Sequence, residues 1–467
     1  MLIRKIENKL SSFEIYTIFK DTDDAIFLDS GRDHDGMGRY SIIAVHPFEK
    51  ITSKGTISQI ETIVRSQESG QIKKIDRAEY TGNPFKLLRE KMEKYQTTYT
   101  SELPFVGGAV GYFGYDLCHH MEKIDRTAVD DVKIPDLYLC MYDGAIIIDH
   151  KEKALYVTDA QLNDGGETRV DRIVKVIEAS QENPPVVECV THETKPEFTP
   201  NMTKDYYLST IRKIKDYIRS GDIYQANMTQ RFETQLRDEP ISLYKKLRDI
   251  NPAPFAAYLD FGEGQIISSS PERFIKVQNG KIETRPIKGT LPRGKTPEED
   301  EQLKNDLQNS MKDRSELLMI VDLERNDLSR VAKTGTVKVP ELFVIESYAT
   351  VHHLVSTVTA DLRDDLNVVD LLEASFPGGS ITGAPKIMAM NVIDELEPTQ
   401  RNIYTGSIGY LDFNGNADLN IVIRTMVCKD EKVYFQVGGG IVWDSDEYRE
   451  YDETLDKARA LMEALSH

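Results

Sequence analysis

A mixed α/β fold is what the pattern of this sequence predicts, and three observations carry it. Strand-like runs dominate residues 1 to about 180. An amphipathic helix opens the second half, with Tyr207, Ile211, Ile214 and Ile218 on one stripe. Two apolar-leaning runs, Phe274-Ile275-Lys276-Val277 and Lys281-Ile282-Glu283-Thr284, flank Asn279-Gly280, the signature of a β-hairpin.

In chain order, Ala25-Ile26-Phe27-Leu28 and Tyr40-Ser41-Ile42-Ile43-Ala44 are short strands. Tyr138 to Tyr142 forms another, and Ala145 to Ile148 with Ala154 to Val157 flanks a turn as a hairpin. Residues 84–95 and 166–180 are helical, and Gly107 to Tyr112 is a close-packing glycine segment with the wrong spacing for a dinucleotide loop. Residues 181–201, opened by Asn183-Pro184-Pro185, form a polar linker between a strand-rich part (1–180) and a second part (202–467). Thr203 caps the helix that follows, and Gly221 ends it. Strands are expected from Ile223 to Phe232 and from Phe255 to Asp260, then the hairpin. Thr296, Pro297 and Glu299 open a helix running towards Val321. Strands at 336–339 and 351–359, a helix at 385–396, strands at 404–411, 419–428 and 432–437, and a helix at 446–465 complete the chain.

The 467 residues are 40% hydrophobic and 29% charged, as in an ordinary globular protein with a large core. A net charge of −19 argues against nucleic acid or an anionic membrane as partner. The four cysteines, Cys118, Cys140, Cys189 and Cys428, are widely spaced, which suits reduced thiols in the cytoplasm better than a disulfide frame or a zinc site. No signal peptide is expected, and no apolar run approaches the ~20 residues of a membrane span.

Several constellations could carry chemistry. The hairpin draws Glu272 towards Lys288, a carboxyl and an amine that could serve as acid and base or acid and nucleophile. A two-residue turn would set Glu272 opposite Ile287 and turn Lys288 away; a three-residue turn with Gly280 left-handed would set both on one face. By itself the pair reads more simply as a surface ion pair. Asp313 with Glu316, and Glu450 with Glu453, are acidic pairs three apart on helices. Two such faces meeting would suit Mg²⁺, although solvated helix faces explain most acidic pairs. Phe376 to Lys386 is a glycine-rich turn into a helix, where free N–H groups can bind an anion. Backbone at Gly438-Gly439-Gly440 could approach a ligand, and Arg424 could hold a carboxylate through its fork. Gly289 to Thr296 matches the P-loop expression G-x-x-x-x-G-K-T, but Glu298, Glu299, Asp300 and Glu301 crowd the helix start where phosphates need positive potential.

Taken together, Ser-Pro-Glu-Arg-Phe at 270–274, Pro-Ile-Lys-Gly-Thr at 286–290 and Asp-Arg-Ser-Glu at 313–316 resemble the chorismate-utilising enzymes. So do Asp-Leu-Glu-Arg-Asn-Asp at 322–327, His-Leu-Val-Ser at 353–356, Gly-Ala-Pro-Lys at 383–386, Gly-Gly-Gly-Ile-Val at 438–442 and Glu-Tyr-Asp-Glu-Thr at 450–454. That family includes component I of anthranilate synthase and of aminodeoxychorismate synthase. Gly-Thr-x-Pro-Arg-Gly belongs to its pattern, which leaves little to the P-loop reading. The resemblance implies a fold of two large, mainly antiparallel sheets packed face to face with helices outside, its two halves interlocked, and a chorismate-binding second part.

It also implies a chemistry. Lys288 would be the nucleophile at ring C2, and Glu272 the acid that assists loss of the C4 hydroxyl. Mg²⁺ would be anchored by Glu316 and Glu453, with Asp313 and Glu450 beside them. Tyr404, Arg424 and the backbone of Gly440 would hold the enolpyruvyl carboxylate, and His353, Ser380 and Thr290 would line the pocket. Anthranilate synthases usually carry Ala at the position of Lys288 and Thr at that of Ser380. Those two residues and Tyr224-Gln225-Ala226-Asn227 are similar instead to the branch that makes 4-amino-4-deoxychorismate from chorismate and ammonia. No Gly-x-Cys-x-Gly nucleophile is present, so a separate glutaminase subunit is the expected ammonia source. Asn251 to Phe255 departs from the Pro-Tyr-Met type of feedback-inhibited members, so no tryptophan regulation is expected.

Overall fold

The computed structural model describes residues 1–31, 37–66, 69–348 and 351–466. Two twelve-stranded sheets form its centre. Ile26, Ile42, Ile147 and Ala257 of one sheet meet Val110, Tyr112, Tyr138 and Cys140 of the other in a single buried cluster, so the sheets pack face to face. Helices cover both outer faces. Ser12–Phe19, Gly166–Ser180, Pro240–Ile250 and Glu447–Ser466 bury apolar stripes on the first sheet. Pro84–Lys94, Met311–Ser329 and Val368–Ser375 do so on the second. Lys204–Ser220 and Lys386–Leu396 pack with Ala226, Met228 and Ile441. Among the described residues no helix is long and apolar enough to cross a membrane, and all four cysteines are free.

Hydrogen bonding crosses the expected linker in both sheets. Leu28 pairs with Ala257, and Tyr112 with Ile408. Residues 181–201 thus separate two stretches of sequence whose strands share ladders. The opening helix of the second stretch forms as its pattern predicts. Thr203 accepts from the Tyr206 N–H at 3.2 Å, a cap that contributes about 1 kcal/mol, and Gly221 closes the helix at φ 85.

Three local expectations change. The helix expected from 296 to 321 is two helices, Pro297–Asn309 and Met311–Ser329. Ser310 breaks it with ψ 108, ending one helix and capping the next through the Asp313 N–H. The strand expected over 419–428 is also two, Ala417–Asn420 and Thr425–Lys429, with Arg424 in a left-handed conformation at φ 50 between them. The third concerns the hairpin. Asn279 and Gly280 both have positive φ, and Gln278 pairs with Lys281, so the turn has two residues. Continued, that ladder would turn Lys288 away from Glu272. Its last pair is Lys276 with Glu283; the strand Lys281–Thr284 already runs along Val351–Asp361 on its other edge, and after Pro286 the strand Ile287–Pro292 stays with that neighbour, with a register shift between Ile287 and Thr290. Gly289 makes the shift feasible: its φ is 83, and a Cβ there would lie 2.9 Å from the Asp313 carboxyl carbon.

Candidate active site

The redirected strand delivers Lys288 to the foot of the helix Met311–Ser329, where its Nζ lies 3.5 Å from Glu316 Oε2. Lys312 reaches the same carboxylate at 4.0 Å. Across the site, the strand Lys432–Ile441 passes close by. A Cβ on Gly440 would lie 3.0 Å from Lys288 Nζ and 2.7 Å from Gln225 Nε2. A Cβ on Gly439 would lie 3.5 Å from Glu450 Oε2 and 3.8 Å from Glu453 Oε1. Gly439 and Gly440 therefore leave a cradle where larger residues would fill the space. Gly440→Ala is expected to cut turnover by about 10²-fold, the cost of misplacing a reacting group by an ångström. Steady-state kinetics beside a thermal melt check this: activity falls while the fold persists.

Glu450 accepts from the Ser445 hydroxyl at 2.7 Å. Burial raises its pKa, Ser445 opposes, and the like charge of Glu453 adds to the rise. Burial also acts to raise Glu453, but Lys457, at 2.8 Å, with Lys288 and Lys312 outweighs it and holds that carboxyl below its ordinary value. Asp313 stands apart: it lies against Gly289 and accepts from the Ser310 hydroxyl. Among the described residues no group of three His, Cys, Asp or Glu is already arranged to hold a metal ion. Glu316, Glu450 and Glu453 are nevertheless hard-oxygen donors around the glycine cradle, and Mg²⁺ needs only one or two carboxylates besides substrate oxygens and waters. The donor set fits that ion.

Glu272 is buried in the turn after Gln265–Ser270, with its carbonyl accepting from the Ile421 N–H at 3.0 Å. The Ser380 hydroxyl donates to its carboxyl at 3.1 Å. Burial pushes that carboxyl up to about 7 against Ser380, Lys288, Lys457 and Arg424, all of which favour the anion. A carboxyl so placed keeps its proton in a large share of molecules in neutral solution and can donate it. Arg424 is half-buried and has no ion-pair partner among the described residues. Burial lowers its pKa, with Glu272 opposing. A guanidinium of that kind is available to an anionic ligand. Burial, with Arg424 and His352, pushes His353 down to about 4, so it is neutral in the working range. The hydroxyl of the exposed Thr290 sits 2.8 Å from His353 Nδ1. Burial raises the Tyr404 phenol, so it stays a donor.

Sequence reasoning gave no site role to two groups here. Both amide atoms of the fully buried Gln225 lack a hydrogen-bond partner among the described residues, beside Gly440 and Lys288. A buried unpaired amide is costly unless a ligand satisfies it. Lys457, the helix partner of Glu453, also donates to the Gly438 carbonyl at 2.8 Å. The P-loop look-alike is excluded as a phosphate cradle. Asp300 accepts from the Gly294 N–H at 2.8 Å and Glu299 from the Lys295 N–H at 2.7 Å, so carboxylates occupy the loop amides, and Leu317 to Asp322 is helix, not strand. A separate cavity of 320 Å³ lies between the sheets, lined by Ser30, Arg39, Tyr40, Pro254, Arg273 and Asp418 among others, and none of the groups around Lys288 lines it.

Comparison with known proteins bears on this geometry. The family described as chorismate binding enzyme matches residues 38–463. The chain belongs to that family. This chorismate binding enzyme is 42% identical over 443 residues to aminodeoxychorismate synthase component 1 of Escherichia coli K12, covering 94% of the chain and 93% of that protein. It is 39% identical to anthranilate synthase component 1 of Acetivibrio thermocellus, covering 97% and 92%. Its structure superposes on the crystal structure of anthranilate synthase component I from Streptococcus pneumoniae TIGR4 with a TM-score of 0.78, at 33% identity and covering 91% and 92% of the two chains.

Proposed function

We propose that this chorismate binding enzyme converts chorismate and ammonia to 4-amino-4-deoxychorismate, towards para-aminobenzoate and folate, with Lys288 as a covalent nucleophile. The observation that carries the reading is an amine and a buried, proton-bearing carboxyl in one site, Lys288 and Glu272. Relatives named aminodeoxychorismate synthase component 1 support it, and "component 1" supports a second subunit as the glutaminase that supplies ammonia.

The Lys288 amine attacks ring C2, the two ring double bonds shift along the ring, and the C4–oxygen bond breaks. Glu272 gives its proton to the departing hydroxyl, which leaves as water. Ammonia then adds at C4, the double bonds shift back, and the bond from C2 to the Lys288 nitrogen breaks. The Glu272 carboxylate takes a proton from the new ammonium, which restores the acid. Chorismate and ammonia thus give the aminodeoxychorismate and water, with no oxidant. The attack needs a neutral amine, and Lys288 and Lys312 both lie within reach of the Glu316 carboxylate. Arg424 and Tyr404 would bind the enolpyruvyl carboxylate beside the Gly440 backbone. Ser380 holds Glu272 in place, and the neutral His353 with Thr290 would line the ring. When bound through Glu316 and Glu453, with Glu450 alongside, Mg²⁺ supplies positive charge for the ring carboxylate in a strongly negative chain.

Chromatography of the product from chorismate, ammonium and Mg²⁺ tests the reaction. 4-Amino-4-deoxychorismate is expected; anthranilate formed without any lyase would assign the chain to the other branch.

A further inference from the structure

The glycine cradle already holds a cation of the protein's own. Glu450, Glu453 and Lys457 stand on one face of the helix Glu447–Ser466. Lys457 Nζ lies 2.8 Å from Glu453 Oε1 and donates to the Gly438 carbonyl, also at 2.8 Å. A Cβ on Gly439 would lie 3.5 Å from that nitrogen, 3.5 Å from Glu450 Oε2 and 3.8 Å from Glu453 Oε1. The ammonium and both carboxylates therefore face one point beside the strand Lys432–Ile441. A solvated i, i+4 pair needs no third partner and contributes little. This amine is fastened a second time, to a backbone carbonyl of the strand that forms the cradle.

Carboxylates gathered at one site repel one another unless a counter-charge stands among them, and this chain has a net charge of −19. Lys288 and Lys312 answer Glu316. Lys457 answers Glu453. We propose that Lys457 is a built-in counter-cation of the metal site. Its ammonium keeps Glu453 in place while the site is without Mg²⁺, and it makes a divalent ion compete for that carboxylate. The site thus stays assembled when empty and releases its metal readily. This rests on the reading of Glu453 as an anchor for Mg²⁺.

The test is Mn²⁺ binding without chorismate, read from the EPR signal of the free ion and displaced by Mg²⁺, for the wild type, Lys457→Gln and Glu453→Gln. Glutamine at 457 can still donate to the Gly438 carbonyl but carries no charge. Lys457→Gln is expected to bind the ion about tenfold tighter than the wild type, the scale of one unit charge a few ångströms from a divalent ion in watery surroundings. Affinity equal to or weaker than that of the wild type would mean that the ammonium only orders Glu453, and would overturn the proposal. Glu453→Gln is expected to lose the ion; Mn²⁺ held there as tightly as in the wild type would instead sink the anchor itself. Should Lys457→Gln fail to fold by circular dichroism, acetylation of the wild type by acetic anhydride, mapped by mass spectrometry, decides. Mg²⁺ is expected to speed labelling of Lys457 severalfold over NaCl of the same ionic strength, because the metal draws Glu453 away from the amine. A labelling rate indifferent to Mg²⁺ overturns the inference.

Discussion

Lys288→Ala is expected to lower ammonia-dependent consumption of chorismate by roughly 10³-fold or more, the scale felt when one member of a reacting unit is removed. The expectation follows from position. The amine is delivered by a strand that leaves its hairpin at Pro286 and shifts register on the neighbouring strand, and it reaches the site where only glycine at 440 makes room. Alanine at 288 removes the nucleophile and leaves Lys312 as the cation on Glu316. The strand is irregular but well paired through Thr290 to Pro292, so the variant should fold. Its melting curve should match the wild type while steady-state turnover falls. Should turnover survive at the wild-type level, ammonia displaces the hydroxyl directly and the amine is a spectator.

Glu272→Gln is the second large effect. Glutamine keeps an oxygen for the Ser380 hydroxyl and fills the same space, yet it has no proton to give, so a loss of 10²- to 10⁴-fold is expected, typical of a general acid. The wild-type pH dependence carries the same information. The acid is competent below about 7 and is lost as pH rises through that value, so kcat/KM falls on the alkaline side. The variant should lose that limb along with its rate. A stopped assay over a pH series at constant free ammonia separates the two cases.

Much of this site was legible before any coordinates. The motifs at 270–274, 286–290, 313–316 and 450–454 each place a side chain near Lys288, because a short motif marks backbone that must be held one way. The helix from Lys204 was plain because its apolar stripe, Thr203 and Gly221 all agree. Other parts left no such trace. The strand Ile72–Thr81 is exposed along nearly its whole length, so it has no apolar alternation to read. The break at Ser310 depends on one hydroxyl serving as cap, a weak signal in a run of helix-forming residues. The left-handed Arg424 sits inside an apolar run that reads as continuous strand. Gln225 lies in a stretch that the sequence marks, but only burial beside Gly440 shows that its amide is unpaired. The route by which Glu272 and Lys288 meet was likewise hidden, since a two-residue turn points them apart and the departure of the strand after Pro286 undoes this.

The most direct measurement is the intact mass of the enzyme after rapid mixing with chorismate and Mg²⁺ in the absence of ammonia, followed by peptide mapping. Lys288 as nucleophile predicts a species heavier by chorismate less one water, mapped to the peptide bearing Lys288 and discharged when ammonium is added. An enzyme that turns over with ammonia yet shows no adduct at any mixing time, or an adduct on another residue, would contradict it.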